Sequence, residues 1–152
     1  MRAVVQRVTS ASVTVDDRVV GQIGHGLLVF VGVERGDGPA DVEYIAHKIR
    51  DLRAFEDPSE SSRHLNRSVA DVGGSVLLVS QFTLTADCRK GRRPSFDAAE
   101  DPPIAARLYE DVVHEVQRSG IPVATGTFQA TMRVSLVNDG PVTLLLDSRK
   151  RF

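Results

Sequence analysis

The sequence predicts an α+β fold, a single domain with a mainly antiparallel β-sheet and two helices. Three observations lead there. β-branched residues crowd both ends of the chain in short runs separated by turn residues, as strands do. Only two stretches, near 39–53 and 101–120, carry an apolar stripe at helical spacing. The strand-like runs follow one another as hairpins do, instead of alternating strictly with helices. At 152 residues the chain has the length of one domain on the usual scale of roughly 100–200 residues. Its 41% hydrophobic and 26% charged residues exclude a disordered, collagen-like or disulfide-scaffold protein.

Taken in order, strands are expected over Arg2–Val8, Ala11–Val15, Val19–Ile23 and Gly26–Val33, with Asp16-Asp17 as a turn. Gly32 to Pro39 reads as a loop whose proline is placed to open a helix. That helix runs from about Pro39 to Arg53, because Val42, Ile45, Ile49 and Leu52 form one stripe. The polar stretch Glu56 to Arg67 is expected to be a loop. Ser75–Leu84 is nearly continuous in apolar character, the pattern of a strand buried on both faces. Asp101-Pro102 forms an N-cap and first-turn pair for a second helix ending near Gly120, with the stripe Ile104, Leu108, Val112 and Val116. Pro122–Gly126, Met132–Val137 and Val142–Leu146 return to strand, the last two joined by a turn at Asn138-Asp139-Gly140-Pro141.

Several chemistries are missing. Gly21 to Gly26 is glycine-rich but has neither dinucleotide-binding nor Walker spacing, and it fits a hairpin turn. His25, His47, His64 and His114 stand apart from one another and from Cys88, so neither a metal site nor a cofactor is expected. No hydrolase nucleophile elbow occurs. The longest apolar run, Gly26–Val33, is too short to cross a bilayer as a helix, which takes about 20 residues. Residues 1–7 lack the apolar core of a secretory signal. With a single cysteine, Cys88, a reduced, cytoplasmic setting without membrane partners is expected. Cys88 itself is expected to be dispensable.

Net charge is −1, which gives no global case for nucleic-acid binding. Locally, Arg89, Lys90, Arg92 and Arg93 form a dense basic run. Sixteen of the 19 cations are arginine, the residue suited to bidentate phosphate contacts.

Two stretches carry more than structure requires. In the apolar run ending Ser80-Gln81-Phe82-Thr83, polar side chains appear where unpaired burial would cost about 1–3 kcal/mol each. They either bond to backbone or face a ligand. Period-2 alternation would set Ser80 and Phe82 on one face, Gln81 and Thr83 on the other. The second stretch is Asn138-Asp139-Gly140-Pro141-Val142-Thr143. A turn accounts for it locally, although a Gly-Pro bond is also a candidate for the cis form, which would redirect the flanking carbonyls.

Together, Ser80-Gln81-Phe82-Thr83 and Asn138–Thr143 resemble the two signature motifs of the D-aminoacyl-tRNA deacylases. The opening Met1–Val8, Asp71-Val72-Gly73-Gly74 and Arg89–Phe96 are similar to family sequence as well, so the resemblance spans Met1 to about Ser148. It implies a sheet curved into a half-barrel and a homodimer with composite active sites. It implies hydrolysis of the ester joining a D-amino acid, or glycine mischarged on alanine tRNA, to the 3′ end of tRNA. Ser80, Gln81, Phe82 and Thr83 would line the catalytic side. Gly140 and Pro141, joined by a cis bond, would form a chiral filter against L-aminoacyl-tRNA, with Phe128 and Met132 as pocket walls. Arg89, Lys90, Arg92 and Arg93 would contact tRNA phosphates. Two other readings of the same residues remain open: a module that holds aminoacyl-tRNA without cleaving it, and a structural dimer.

Overall fold

The computed structural model describes residues 1–57, 59 and 65–152. In chain order its strands are β1 (Arg2–Val15), β2 (Arg18–Ile23), β3 (Gly26–Gly32), β4 (Phe55–Glu56), β5 (Leu65–Arg67), β6 (Ser75–Ser80), β7 (Val123–Thr125) and β8 (Arg133–Asp147). Helix α1 (Pro39–Asp51) precedes β4, and α2 (Pro102–Gln117) precedes β7. A single 3-10 turn, Phe82–Thr85, follows β6.

The two first expected strands are one. Thr9 and Ser10 are exposed and read locally as a break, yet Ser10 pairs with Val137 of β8, the ladder continues on either side, and the strand runs on with only a register shift between Val8 and Ser10. The other edge of β1 is shared. Its first half pairs antiparallel with β3 and its second with β2, whose hairpin turn is Asp16-Asp17. Both aspartates have positive φ, 47° and 59°, as the turn preferred between twisted strands requires. Antiparallel pairing dominates, as expected, but β3–β6 and β6–β7 are parallel. Each parallel pair is joined through a helix, the crossover such pairing demands. The sheet is therefore mixed.

Its ends approach each other and nearly close a barrel. A Cβ placed on Gly21 of β2 would lie 2.3 Å from the Thr125 carbonyl oxygen of β7, so only glycine fits that seam. Alternation along the strands then builds two cores. Leu27, Val29, Val76 and Leu78 face α1 and α2, meeting Ile45, Ile49, Leu108 and Val112. Leu28, Leu77 and Val79 face the opposite way, into the barrel, with Val8 and Val13.

The helices fall close to where their stripes place them, although α1 ends at Asp51 and leaves Leu52 as its half-buried C-cap, and the face of α2 is shifted. Ile104 is 41% exposed, and the buried face of α2 runs through Ala105, Leu108, Tyr109, Val112, Val113 and Val116. The start of a helix lies at the domain's edge, so its first apolar residue has nothing to pack on. The ends of the expected loop Glu56–Arg67 pair instead, Phe55 with Arg67 and Glu56 with Leu65; residues 58 and 60–64, His64 among them, lie outside the described residues.

The strand expected to reach Leu84 stops at Ser80. The Gln81 N–H makes one more sheet-type bond, to the Val31 carbonyl at 2.8 Å. The Thr85 hydroxyl then donates to the Phe82 carbonyl at 2.7 Å, a local bond that competes with continued pairing.

Tyr109 joins α2 to this strand. Its hydroxyl donates to the Leu78 carbonyl at 2.8 Å, and burial pushes its pKa well above the usual tyrosine value, so it stays a protonated donor. Leu78 also accepts the Gly126 N–H at 2.9 Å. Tyr109→Phe therefore leaves no orphaned acceptor and is expected to cost only about 1 kcal/mol in urea unfolding, the net worth of one hydrogen bond. A loss above about 3 kcal/mol, the scale of an unsatisfied buried group, would contradict this arrangement.

Candidate functional site

A cavity of about 600 Å³ opens beside the end of β6, a size typical of small-molecule sites. Val31, Val79 and Val134 of three strands, with Val33 just past the end of β3, make an apolar floor. Ala105 and Tyr109 of α2 close one wall, and Phe128 and Met132 close another. Ser80, Gln81 and Phe82 form its polar end. The structure thus brings Ser80, Gln81, Phe82, Phe128 and Met132 to one cavity. Thr83 is exposed beyond its lining.

Because the strand has become a 3-10 turn, the expected two-face alternation does not apply past Ser80. Phe82 is 60% exposed, with its ring 5.1 Å from that of Phe96. Thr83 takes the Gln81 amide as its hydroxyl's partner. An amide cannot remove a proton from a hydroxyl, so Thr83 has no activating base in this contact. At the start of the turn, Phe82 and Thr83 occupy positions whose N–H groups have no partner inside the helix. Among the described residues, no group of three His, Cys, Asp or Glu side chains is placed to hold a metal ion.

Gly140 and Pro141 are not in the cavity lining. The turn expected there is also absent, since β8 runs through it in one direction. Asn138 pairs with Val8 and Thr143 with Gln6, so Asp139, Gly140, Pro141 and Val142 stand opposite the single residue Arg7. The surplus residues bulge out of the ladder, as extra residues on one strand must. The Gly140-Pro141 peptide is cis, and both residues are exposed.

Arg7 holds this bulge and escapes notice in the sequence. Its guanidinium is almost fully buried, donating to the Ala54 carbonyl at 2.9 Å and the Asp139 carbonyl at 3.2 Å, with the Asp139 carboxylate at 3.3 Å. Asn138 straps the other side, its amide donating to the carbonyls of Arg7 at 3.1 Å and Val142 at 2.9 Å. One signal was available: Arg7 continues the inward face of Ala3 and Val5, where a charge is out of place.

The basic run lies on an exposed loop after the 3-10 turn. Arg89 is committed to Asp87, with Nε and Nη2 at 2.9 and 2.6 Å from its two carboxylate oxygens. That contact holds the Asp87 carboxyl well below its usual range. Lys90, Arg92 and Arg93 remain exposed.

A nearly closed barrel backed by two helices, with an apolar cavity of small-molecule size ending on a polar turn, defines the class as an α+β domain with a candidate ligand site. The family model described as D-Tyr-tRNA(Tyr) deacylase matches residues 4–147, and this chain belongs to that family. A D-aminoacyl-tRNA deacylase from Syntrophobacter fumaroxidans is 59% identical over 152 residues, covering all of both chains. One from Syntrophotalea carbinolica is 57% identical over the same span. Among solved structures, a c-Myc DNA unwinding element binding protein is 40% identical, with a TM-score of 0.90 over 97% of this chain and 98% of that one. A probable eukaryotic D-amino acid tRNA deacylase shares the fold at 18% identity, with a TM-score of 0.80 over 95% and 97% of the two chains.

Gly140 has φ of +117°, and a Cβ there would lie 2.7 Å from Arg7 Nη2. Gly140→Ala should therefore both strain the backbone and press on a buried guanidinium held through Nε and Nη1. The expected loss is about 1–3 kcal/mol in urea unfolding. A variant as stable as the parent would contradict the bulge geometry.

Proposed function

We propose that this chain is a D-aminoacyl-tRNA deacylase, hydrolysing the ester between a D-amino acid and the tRNA 3′-terminal adenosine to give free D-amino acid and tRNA. The observation that carries this reading is the cavity ending on Ser80, Gln81 and Phe82 in a member of the deacylase family. An aminoacyl ester is already activated by the neighbouring ribose hydroxyl. The protein need supply chiefly placement and stabilisation of the developing oxyanion. The backbone amides of Phe82 and Thr83 provide the latter, with Ser80 and Gln81 orienting the ester and Phe128 and Met132 enclosing the substrate. Water attacks with help from the substrate's 2′-hydroxyl, and Thr83 forms no covalent intermediate.

The active site is completed by a second copy of the chain. Among the described residues β8 pairs only with β1, which leaves a long strand edge open to association. It also exposes Val137 and Leu145, 55% and 61% accessible. A homodimer built there brings the Gly140-Pro141 bulge of one protomer to the Ser80–Thr83 end of the other. Backbone carbonyls of Gly140 and Pro141 then accept hydrogen bonds from the substrate's α-ammonium group. With that group fixed, an L side chain runs into the Gly-Pro backbone while a D side chain points to open space. Backbone held by Arg7 and Asn138 cannot rotate aside as a side chain would. Rejection by clash reaches ratios that a pocket methylene, worth about 1–3 kcal/mol, does not. Glycine has nothing to clash, so glycine mischarged on alanine tRNA is also cleaved.

Lys90, Arg92 and Arg93 contact acceptor-stem phosphates; Arg89 serves mainly to fold its own loop through Asp87. Among the described residues no helix is long and apolar enough to cross a membrane, and a tRNA substrate fits a cytoplasmic protein.

Purified protein should release free amino acid from D-aminoacyl-tRNA and leave the L form intact. Binding without release would favour a holding module instead. Thr83→Ala is expected to keep turnover within about tenfold, whereas a substrate ending in 2′-deoxyadenosine should be cleaved at least a hundredfold more slowly, the range general acid–base assistance spans. A dead Thr83→Ala variant together with an acyl-enzyme seen by mass spectrometry would overturn this mechanism.

A further inference from the structure

Near the 3-10 turn lies a cluster of buried charge that the mechanism above does not use. The side chains of Asp37 and Asp147 are fully buried and that of Glu34 is 2% exposed. Arg2, Arg149 and Arg151 converge on them. Buried carboxylates are expensive and their ion pairs often do no better than apolar packing. The cluster includes a further cost, because Arg2 Nε is buried with no hydrogen-bond partner, 3.9 Å from the nearer Asp147 oxygen. Stability alone is a poor account of such a guanidinium.

Its remaining contacts say what it holds. Arg2 Nη2 lies 3.2 Å from Glu34 Oε1, and Glu34 is also bound by Arg151. With one edge fixed there, Arg2 Nη1 donates to the Leu84 carbonyl at 2.9 Å. Leu84 belongs to the turn Phe82–Thr85. Among the described residues, Arg2 is the only side chain from outside this turn that hydrogen-bonds its backbone. The turn's own Leu84 N–H to Gln81 carbonyl bond is long, at 3.2 Å. Beneath it, Gly32 is the β3 partner of Arg2. A Cβ on Gly32 would come within 2.9 Å of both the Gln81 carbonyl oxygen and Leu84 Cβ. The turn therefore rests directly on β3 backbone, and Arg2 reaches over from the neighbouring strand to clamp it.

We propose that Arg2 is a positioning residue for the deacylation reaction: anchored by Glu34, it fixes the turn that carries the backbone amides of Phe82 and Thr83. This rests on the deacylase reading of the cavity. It deepens it by naming the group that sets where those amides point. Arg2 does not line the cavity and touches no substrate. Its effect on rate is the effect of displacement, which for about 1 Å reaches roughly a hundredfold.

The test pairs kinetics with amide hydrogen exchange. Arg2→Met keeps the apolar stem and removes the donors, while Arg151 still neutralises Glu34, so the variant should fold. Its kcat on D-aminoacyl-tRNA is expected to fall about 10–100-fold with KM changed less than about twofold, since the cavity is intact. Amides of residues 82–86 should exchange faster while those of α1 and α2 keep their protection. Arg2→Lys, able to reach Glu34 or Leu84 but not both, should fall between. Unchanged exchange at 82–86, or a rate loss that only follows a general loss of protection, would overturn the proposal. If Arg2→Met does not fold, the same two readouts on Arg2→Lys decide. Should the parent protein release no amino acid at all, the deacylase reading fails, and exchange at 82–86 still answers whether Arg2 holds the turn.

Discussion

The backbone ladder between β1 and β8 holds on both sides of Arg7 and has its widest break there, with a smaller shift between Val8 and Ser10. Most of the molecule follows from that interrupted pairing. Because the ladder resumes, β8 stays one strand and β1 stays continuous, serving β2 and β3 on its other edge. Because it breaks, Gly140 and Pro141 are pushed out of the sheet at a fixed place. The guanidinium of Arg7 fills the space left behind and ties the bulge to Ala54 and Asp139. A mobile loop of the same sequence would present the same atoms without a fixed direction. The chiral selection proposed for this bulge depends on direction.

Local signals in the sequence were enough for the helices and for most strand segments. Val42, Ile45 and Ile49 mark α1, and the run from Val76 to Val79 marks a strand with both faces covered. Long-range pairing decided what local signals could not. Thr9-Ser10 and Asn138–Pro141 look like breaks in isolation, and each is carried through by its partner strand. The parallel pairs β3–β6 and β6–β7 were implicit in the order strand, helix, strand, helix, strand, which the hairpins at both ends obscured. The end of β6 turned on a side-chain bond from Thr85, a β-branched residue whose strand preference gives no sign of it.

The candidate site was legible in a similar way. Ser80, Gln81, Phe82, Phe128 and Met132 stand out as motif residues, and the fold gathers them at one cavity. Arg7 and Arg2 did not stand out, because arginines near a chain's start read as ordinary surface. Their roles come from burial and from carbonyls distant in sequence, Asp139 for one and Leu84 for the other. Both arginines act on backbone instead of on a ligand. That fits a site in which backbone groups of the 3-10 turn and of the bulge are proposed to do the selecting and stabilising, with no acid–base pair.

The central claim is that the Ser80–Thr83 end of one protomer meets the Gly140-Pro141 bulge of another, and proximity between chains tests it most directly. In a Cys88→Ser background, Phe82→Cys on one chain and Pro141→Cys on another would be co-expressed and treated with a short bis-maleimide. A covalent dimer is expected from the mixture and not from either variant alone, because a two-fold interface sets unlike positions opposite each other. Cross-linking confined to a single chain carrying both cysteines, with the mixture uncoupled, would contradict the composite site.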